Sequence, residues 1–535
     1  MKTMINSIIL ASCLALPLAS CSDSDAAPEQ KDWSTTTYFN SSDAAAQDTY
    51  YKPAVGYVGD PMPFFDPVAG DFKVLYLQDF RPNPEGTYHP IWGVSTKDAA
   101  HYTALGELVS CGTLKSQDAA IGTGSTIYDE ASKLYYTFYT GNKYKPTGDE
   151  SAQAVMVATS ADFKTWTKDR TFLLKGQDFG YDKNDFRDPF VFKGDDGKFH
   201  MLVSTKKSGK GSLAEFVSDD LKNWTDNGVF MTMMWDRFYE CPDLFKMGDY
   251  WYLVYSEIHH AVRRVQYFKG RTLDELKACT ANDAGIWPDA HEGFLDSRGL
   301  YAGKTASDGT NRYLWGWCPT RSGKDNTAVG ASPAEPEWAG NLVCYKLIQH
   351  EDGTLTLGQV DAVSEKYNQD VAVEVKESQN MTEADGTYTL AGNAMQPDAY
   401  MLMGRLGNHN KISFTVTTSN EWDKFGISMV RGSDSKKYYT MVVNPESENN
   451  RKVNFEEQGV EGKGFIAGID GYVFARPADN VYNITIYTDN SICVMYINDV
   501  CSYTNRIYGI QKNCWSINSY NGANVKISNL KISQY

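Results

Sequence analysis

The sequence predicts an all-β protein, a five-bladed β-propeller followed by a C-terminal β-sandwich. Three observations carry that expectation. The 535 residues hold 34 Tyr, 24 Phe and 12 Trp beside 44 Gly and 19 Pro, a composition that favours many short strands and turns over long helices. A loose motif recurs at nearly even intervals from about residue 50. Beyond about residue 365 the motif stops, and plainly alternating strands continue to the end. With 13% aromatics and 42% hydrophobic residues, disorder is excluded as the main theme.

The first twenty residues, MKTMINSIILASCLALPLAS, stand apart from the fold. One Lys, an apolar stretch and small residues read as a secretory signal, too short and wrongly flanked for a spanning helix. The segment ends Leu18-Ala19-Ser20-Cys21, which resembles a bacterial lipobox, so Cys21 is the expected lipidation site. Residues 21–48, rich in Ser, Asp, Ala and Thr, read as a tether. The expectation is therefore an exported protein held at a bacterial outer membrane, on the cell surface or the periplasmic face, through lipid alone. Of ten cysteines, Cys13 and Cys21 fall in this leader. The other eight form no CxxC and no Cys/His metal spacing, which predicts buried free thiols and no metal site.

Residues 49–365 are the predicted propeller. Each motif copy has a polar residue, often a Pro, then an aromatic, a Gly/Asp turn and an alternating apolar strand. The copies are GDPMPFFDPVAGDFKVLYLQ (59–78), GTGSTIYDEASKLYYTFYTGN (122–142), RDPFVFKGDDGKFHMLVSTK (187–206), ECPDLFKMGDYWYLVYS (240–256) and LDSRGLYAGKTASDGTNRYLWGWC (295–318). Their anchors, Asp60, Gly124, Asp188, Glu240 and Asp296, stand 64, 64, 52 and 56 positions apart. A period of that length built from hairpins indicates a radial array of four-stranded blades. Residues 366–535 are the predicted sandwich. KISFTVTTS (411–419), FGISMVRG (425–432), KYYTMVVN (437–444) and VYNITIYTDNSICVMYIN (481–498) alternate without Asp-Pro punctuation, and Asp489-Asn490 predicts a hairpin turn.

Charge narrows the ligand. There are 67 acidic against 51 basic residues, a net −16, with no Lys/Arg cluster. That excludes a basic nucleic-acid footprint and leaves a neutral ligand such as carbohydrate compatible. In a propeller the first strand of each blade lines the axis, so equivalent anchors converge at one mouth. Asp60, Asp188 and Glu240 sit in tight Asp-Pro or Glu-Cys-Pro contexts, with Asp296 as a fourth carboxylate. Converging carboxylates raise each other's pKa, a cost tolerated where chemistry uses it. One acid then stays protonated while another stays ionised, the division that glycosidic cleavage requires. A calcium site, or sugar binding without cleavage, are the other uses of such a trio.

Gly59-Asp60-Pro61, FRDPFVF (186–192) and ECPDLF (240–245) resemble the three signature blocks of the family 32 glycoside hydrolases, which act on fructosides as invertases, levanases and inulinases. The resemblance continues through IGTGS (121–125), YTGN (139–142), ATSADFKTWTK (158–168), LYAG and LWGW in the fifth copy, and DNSICVMYINDVCSYTNRIYG (489–509), covering about 50 to 535. It implies a retaining O-glycosyl hydrolase that uses no cofactor or metal, with an oligo- or polysaccharide partner of the fructan, levan, inulin or sucrose type. It implies Asp60 as nucleophile, Glu240 as general acid/base and Asp188 as transition-state stabiliser oriented by Arg187. Gln78 and Trp92 match positions that line the sugar subsite, and Thr123 stands where the family has Ser. The first block departs from the pattern: the family's usual Asn-Asp-Pro-Asn-Gly is Gly59-Asp60-Pro61-Met62-Pro63 here, so an Asn that commonly contacts the sugar is missing. The alternatives are a family 43-like inverting arabinosidase or xylosidase, and a surface glycan-binding protein without turnover.

Overall fold

The computed structural model describes residues 49–80, 88–233, 237–257, 264–279, 292–297, 299–321, 336–430, 438–444, 452–458, 472–474 and 476–535. The expected signal, Cys21 and the whole of the tether lie outside them. Strands dominate, and no helix among the described residues is long and apolar enough to cross a membrane.

The chain first builds five consecutive four-strand meanders, each antiparallel. These are β1 (Tyr57–Asp66), β2 (Asp71–Asp79), β3 (Ile91–Thr96) and β4 (Thr103–Val109), then β5 (Ala120–Asp129), β6 (Leu134–Asn142), β7 (Gln153–Ser160) and β8 (Thr167–Lys168). The third holds β9 (Phe186–Lys193), β10 (Phe199–Lys207), β11 (Lys210–Ser218) and β12 (Thr225–Thr232). The fourth holds β13 (Glu240–Met247), β14 (Tyr250–Glu257), β15 (Arg264–Gly270) and β16 (Glu292–Phe294). The fifth holds β17 (Tyr301–Ser307), β18 (Arg312–Arg321), β19 (Pro336–Gln349) and β20 (Leu355–Gly358). β19 also pairs with β1 at Gly340 and Val58, which joins the first and fifth meanders into one sheet. The leading strands meet in sequence, β1 against β5, β5 against β9, β9 against β13, β13 against β17 and β17 against β1.

Burial explains why second strands read as apolar runs while last strands alternate. β2 is buried along nearly its whole length, because neighbouring meanders cover both faces; β12 alternates exposed and covered residues until its last turn. Aromatic and aliphatic side chains fill the gaps between meanders. Met62, Leu75, Ile121 and Tyr139 pack between the first two, and Phe138, Phe186, Met201 and Phe216 between the second and third.

One irregularity repeats in all five. The leading strand slips against its neighbour between Val58 and Pro61, Gly122 and Gly124, Arg187 and Phe190, Glu240 and Asp243, and Tyr301 and Lys304. Each slip is a β-bulge, which redirects the side chain it carries. Asp188, Cys241 and Ala302 adopt left-handed φ values of 57°, 52° and 53° at these bulges. The structurally equivalent set is therefore Asp60, Thr123, Asp188, Cys241 and Ala302. This corrects the sequence alignment of anchors, which placed Gly124, Glu240 and Asp296 in that row. Glu240 and Arg187 occupy the position before the bulge, together with Tyr301.

The remaining chain forms two antiparallel sheets around one core that includes Met401, Phe414, Tyr439, Met495 and Trp515. The expected hairpin is present: Val481–Asp489 pairs with Ile492–Ile497, and Asn490 turns at φ 54°. These sheets grip the fifth meander. Arg506, 2% exposed, donates to the carbonyls of Pro319 at 3.1 Å and Cys318 at 3.0 Å, to Asn341 Oδ1 at 2.6 Å and to Ser491 Oγ at 3.0 Å. Asp296 belongs to this contact, not to the carboxylate trio: it accepts from Thr504 N at 2.8 Å, Thr504 Oγ1 at 2.7 Å and Ser502 Oγ at 3.0 Å. All eight described cysteines are free thiols, six of them buried.

Candidate active site

The repeated bulges aim Asp60, Thr123 and Asp188 into one cavity of about 270 Å³, and the positions before them add Arg187, Glu240 and Tyr301. Leu77, His89, Asn142 and Trp338 complete much of its wall. A larger cleft of about 340 Å³, on the C-terminal sheets between Gln359, Asn483, Thr485 and Asn498, contains none of the residues singled out from the sequence.

Each carboxylate has its own surroundings. Asp60 accepts from Trp317 Nε1 at 2.8 Å on one oxygen and from Thr123 Oγ1 at 2.6 Å on the other. Donors to a carboxylate favour its ionised form. Asp188 is 4% exposed and accepts from the backbone N–H of Cys241 at 2.9 Å, while its own N–H donates to Thr140 Oγ1 at 2.8 Å. Burial pushes the Asp188 carboxyl up to about 7; Glu240 and Asp60 add to the rise, and Arg187 opposes it. Glu240 accepts from Arg187 Nη2 at 2.9 Å and from the Tyr301 hydroxyl at 2.5 Å.

Arg187 was expected to orient Asp188. Its side-chain donors go instead to Glu240 and to Asp185, the latter at 2.7 Å, while its guanidinium lies 3.9 Å from the Phe238 ring centroid. Arg187 and Asp188 are adjacent in the chain, and both line the cavity at the bulge. Gln78 and Trp92 are likewise corrected, since neither lines the cavity. The Gln78 amide donates to the Val55 carbonyl at 2.5 Å, and Trp92 packs edge-on against Phe80 at 5.7 Å. Strand packing claims both, and Leu77 faces the cavity in their place.

Four residues were not found from the sequence in these roles. Tyr301 and Trp317 sit inside LYAG and LWGW, whose recurrence at the fifth copy was their only signal. Cys241 places Sγ 3.8 Å from both Asp60 Oδ2 and Thr123 Oγ1. Burial, then Asp60, Asp188 and Glu240, pushes its thiol well above the usual value, so it is neutral and no nucleophile. Trp338 answers the departure in the first block. Its ring edge lies 2.2 Å from where a Cβ on Gly59 would stand, so the indole occupies the space an Asn side chain would need. Trp338 stacks on His89 with ring centroids 4.1 Å apart.

No group of three or more His, Cys, Asp or Glu among the described residues is arranged to hold a metal ion. Three carboxyls in one cavity, one of them pushed up to about 7, suit acid/base and nucleophilic attack on an acetal.

Comparison with known proteins agrees. Residues 50–360 match the glycosyl hydrolases family 32 N-terminal domain, and residues 353–532 match the domain described as "GH32, BT1760-like, C-terminal domain". An insoluble isoenzyme of beta-fructofuranosidase from Arabidopsis thaliana is 26% identical over 320 residues, covering 54% of this chain and 51% of that protein. The chain thus spans about half the length of the curated relatives it matches. Among solved structures, sucrose-6-phosphate hydrolase from Lactobacillus gasseri superposes with a TM-score of 0.67 at 18% identity, covering 91% of this chain and 93% of that one. Fructan 1-exohydrolase IIa from Cichorium intybus, in complex with 1-kestose, gives 0.66 at 16% identity over 91% and 97% of the two chains. At such identities the likeness concerns the fold.

Proposed function

We propose, from the premise that the chain belongs to glycosyl hydrolase family 32, that it hydrolyses β-fructosidic bonds with retention of configuration. The single observation that supports this most is the convergence of Asp60, Asp188 and Glu240 in one cavity through a bulge repeated on successive leading strands. The two family matches set aside the family 43 alternative.

The five meanders and the ring of contacts among their leading strands support a closed five-bladed propeller over 49–365, with a β-sandwich over 366–535. In that frame Asp60, which accepts from Trp317 and Thr123, attacks the anomeric carbon of a fructosyl unit. Glu240 gives a proton to the leaving oxygen and later takes one from water, which releases fructose from the enzyme. Asp188 bonds sugar hydroxyls more strongly as positive charge develops on the ring. Retention requires the Asp60 and Glu240 carboxyls about 5–5.5 Å apart. The 1-kestose complex of the Cichorium intybus relative supports an oligosaccharide substrate. The filled space at Gly59 supports a sugar floor unlike that of the common pattern. A leader ending in Cys21 supports export and lipid attachment at the outer membrane.

Product analysis over sucrose, inulin, levan and arabinan, with the anomer followed by NMR, tests the substrate and the stereochemistry together. Asp60→Asn and Glu240→Gln are each expected to lower turnover by about 10²–10⁴-fold or more while the fold persists. Near-normal activity in either variant would sink the mechanism. Tight fructan binding by wild type with no turnover would favour a glycan-binding role.

A further inference from the structure

One wall residue of the cavity has no part in the mechanism above, yet its backbone is strained to keep it there. His89 lines the cavity with its side chain 20% exposed. Among the described non-glycine residues of that wall, Asp188 and His89 alone have left-handed φ values, 57° and 63°. A residue with a Cβ adopts that conformation rarely, and it persists where neighbours impose it. The carbonyls on either side of His89 do so. That of Tyr88 accepts from Ile121 N of β5 at 3.2 Å, and that of Pro90 from Gln78 N of β2 at 2.9 Å.

The imidazole is held as well as its backbone. It stacks on Trp338 with ring centroids 4.1 Å and planes 25° apart, while Tyr88 meets it edge-on at 4.6 Å. Trp338 in turn has its ring edge against Gly59, the residue before Asp60. The run from Gly59 through Trp338 to His89 therefore sets the place of the imidazole relative to the nucleophile. Asp79 Oδ1 stands 3.9 Å from its Nε2.

The chemistry of His89 complements that of the other polar groups in the wall. Thr123 donates to Asp60, and Tyr301 and Arg187 donate to Glu240. Those donors serve the carboxylates before any substrate arrives. A neutral imidazole carries one donor and one acceptor, and a sugar hydroxyl carries both as well. Small-molecule sites set their specificity through a few polar groups placed in this way.

We propose that His89 is a specificity-determining residue: its imidazole hydrogen-bonds a hydroxyl of the sugar unit seated against Trp338, and so selects among furanosides by where that hydroxyl points. The proposal rests on the fructosidase reading above, which supplies the substrate class. A furanoside lacking a hydroxyl at that point leaves the imidazole without its partner and reacts more slowly.

The test is kcat/KM of His89→Phe on a fructoside that wild type cleaves, with the melting temperature read on the same samples. Phe keeps a ring on Trp338 and removes both nitrogens. It is expected to lower kcat/KM by about 5–50-fold with the melting temperature nearly unchanged. Wild-type kcat/KM in this variant overturns the proposal, since the ring would then serve packing alone. Monodeoxy fructosides separate a lost hydrogen bond from a disturbed wall. One of them should react equally with wild type and His89→Phe, whereas a gap that stays the same on every deoxy substrate is equally fatal. If the Phe variant does not fold, His89→Asn takes its place in the deoxy series, because Asn accepts a left-handed φ and its side chain is shorter. Should wild type cleave no fructoside, the fructosidase reading fails, and wild type and variant are compared on the glycoside of the panel that it does cleave or bind. There an unchanged kcat/KM or dissociation constant overturns the His89 proposal by itself, and a wild type that neither cleaves nor binds any of them overturns both.

Discussion

At Asp188 the folded environment and the unfolded chain disagree about a proton. The carboxyl sits near 7 when folded and near 3.8 when unfolded. Below about pH 4 both states hold the proton. Between about 4 and 7 the unfolded chain releases it first, so stability falls as pH rises through that window, and above 7 the penalty is constant. Asp188→Asn removes the penalty. It is expected to gain roughly 2–4 kcal/mol relative to wild type between pH 4 and pH 8, read by urea unfolding at several pH values, while losing turnover. A variant that gains nothing with pH would mean that Asp188 is ionised throughout. Much of the site was legible at this scale, because Asp-Pro and Glu-Cys-Pro are unusual on a strand and recur in order. Trp338 was not, since what connects it to Gly59 is a close approach between residues 279 positions apart in the chain.

The strand is where the sequence reading slipped. Five copies of a motif were visible, and each became one meander. The row of anchors was misplaced by one residue at Thr123 and Cys241, and by six at Ala302. A bulge inserts one residue on one strand only, and no composition rule marks which residue it takes. Arg187 was therefore assigned to the wrong carboxylate, and Gln78 and Trp92 to a cavity that their strands turn away from. The bulge of β5 makes its own prediction. A Cβ on Gly124 would stand 1.8 Å from the Phe138 carbonyl oxygen, which belongs to the paired strand and cannot move without breaking register. Gly124→Ala is expected to destabilise by roughly 2–4 kcal/mol and to shift Thr123 off Asp60, so that activity falls beyond what the unfolded fraction explains. Thermal unfolding and kcat measured on the same sample separate the two losses.

Over the whole described chain, the C-terminal sheets behave as part of the fifth meander's foundation. Arg506, Asp296, Ser502 and Thr504 are buried and bonded across that contact. Arg506→Met leaves the carbonyls of Cys318 and Pro319 without their donor, an expected cost of about 3 kcal/mol. Both regions should melt in one transition in wild type and separate into two in that variant, as followed by calorimetry; a single unchanged transition would show that the contact carries little energy. The general plan of meanders followed by two sheets was readable from period and alternation. The interface was not, because Asp296 looks like another anchor until its partners more than 200 positions away are known.

The pairing of Val58 with Gly340 has a kinetic side. Its two partners are 282 positions apart, so β1 cannot find its neighbour until nearly two-thirds of the chain has left the ribosome. Until then an apolar leading strand waits with one edge unpaired, and sheet contacts of such high separation form slowly. A chain built this way gains from being kept extended by a chaperone and released all at once.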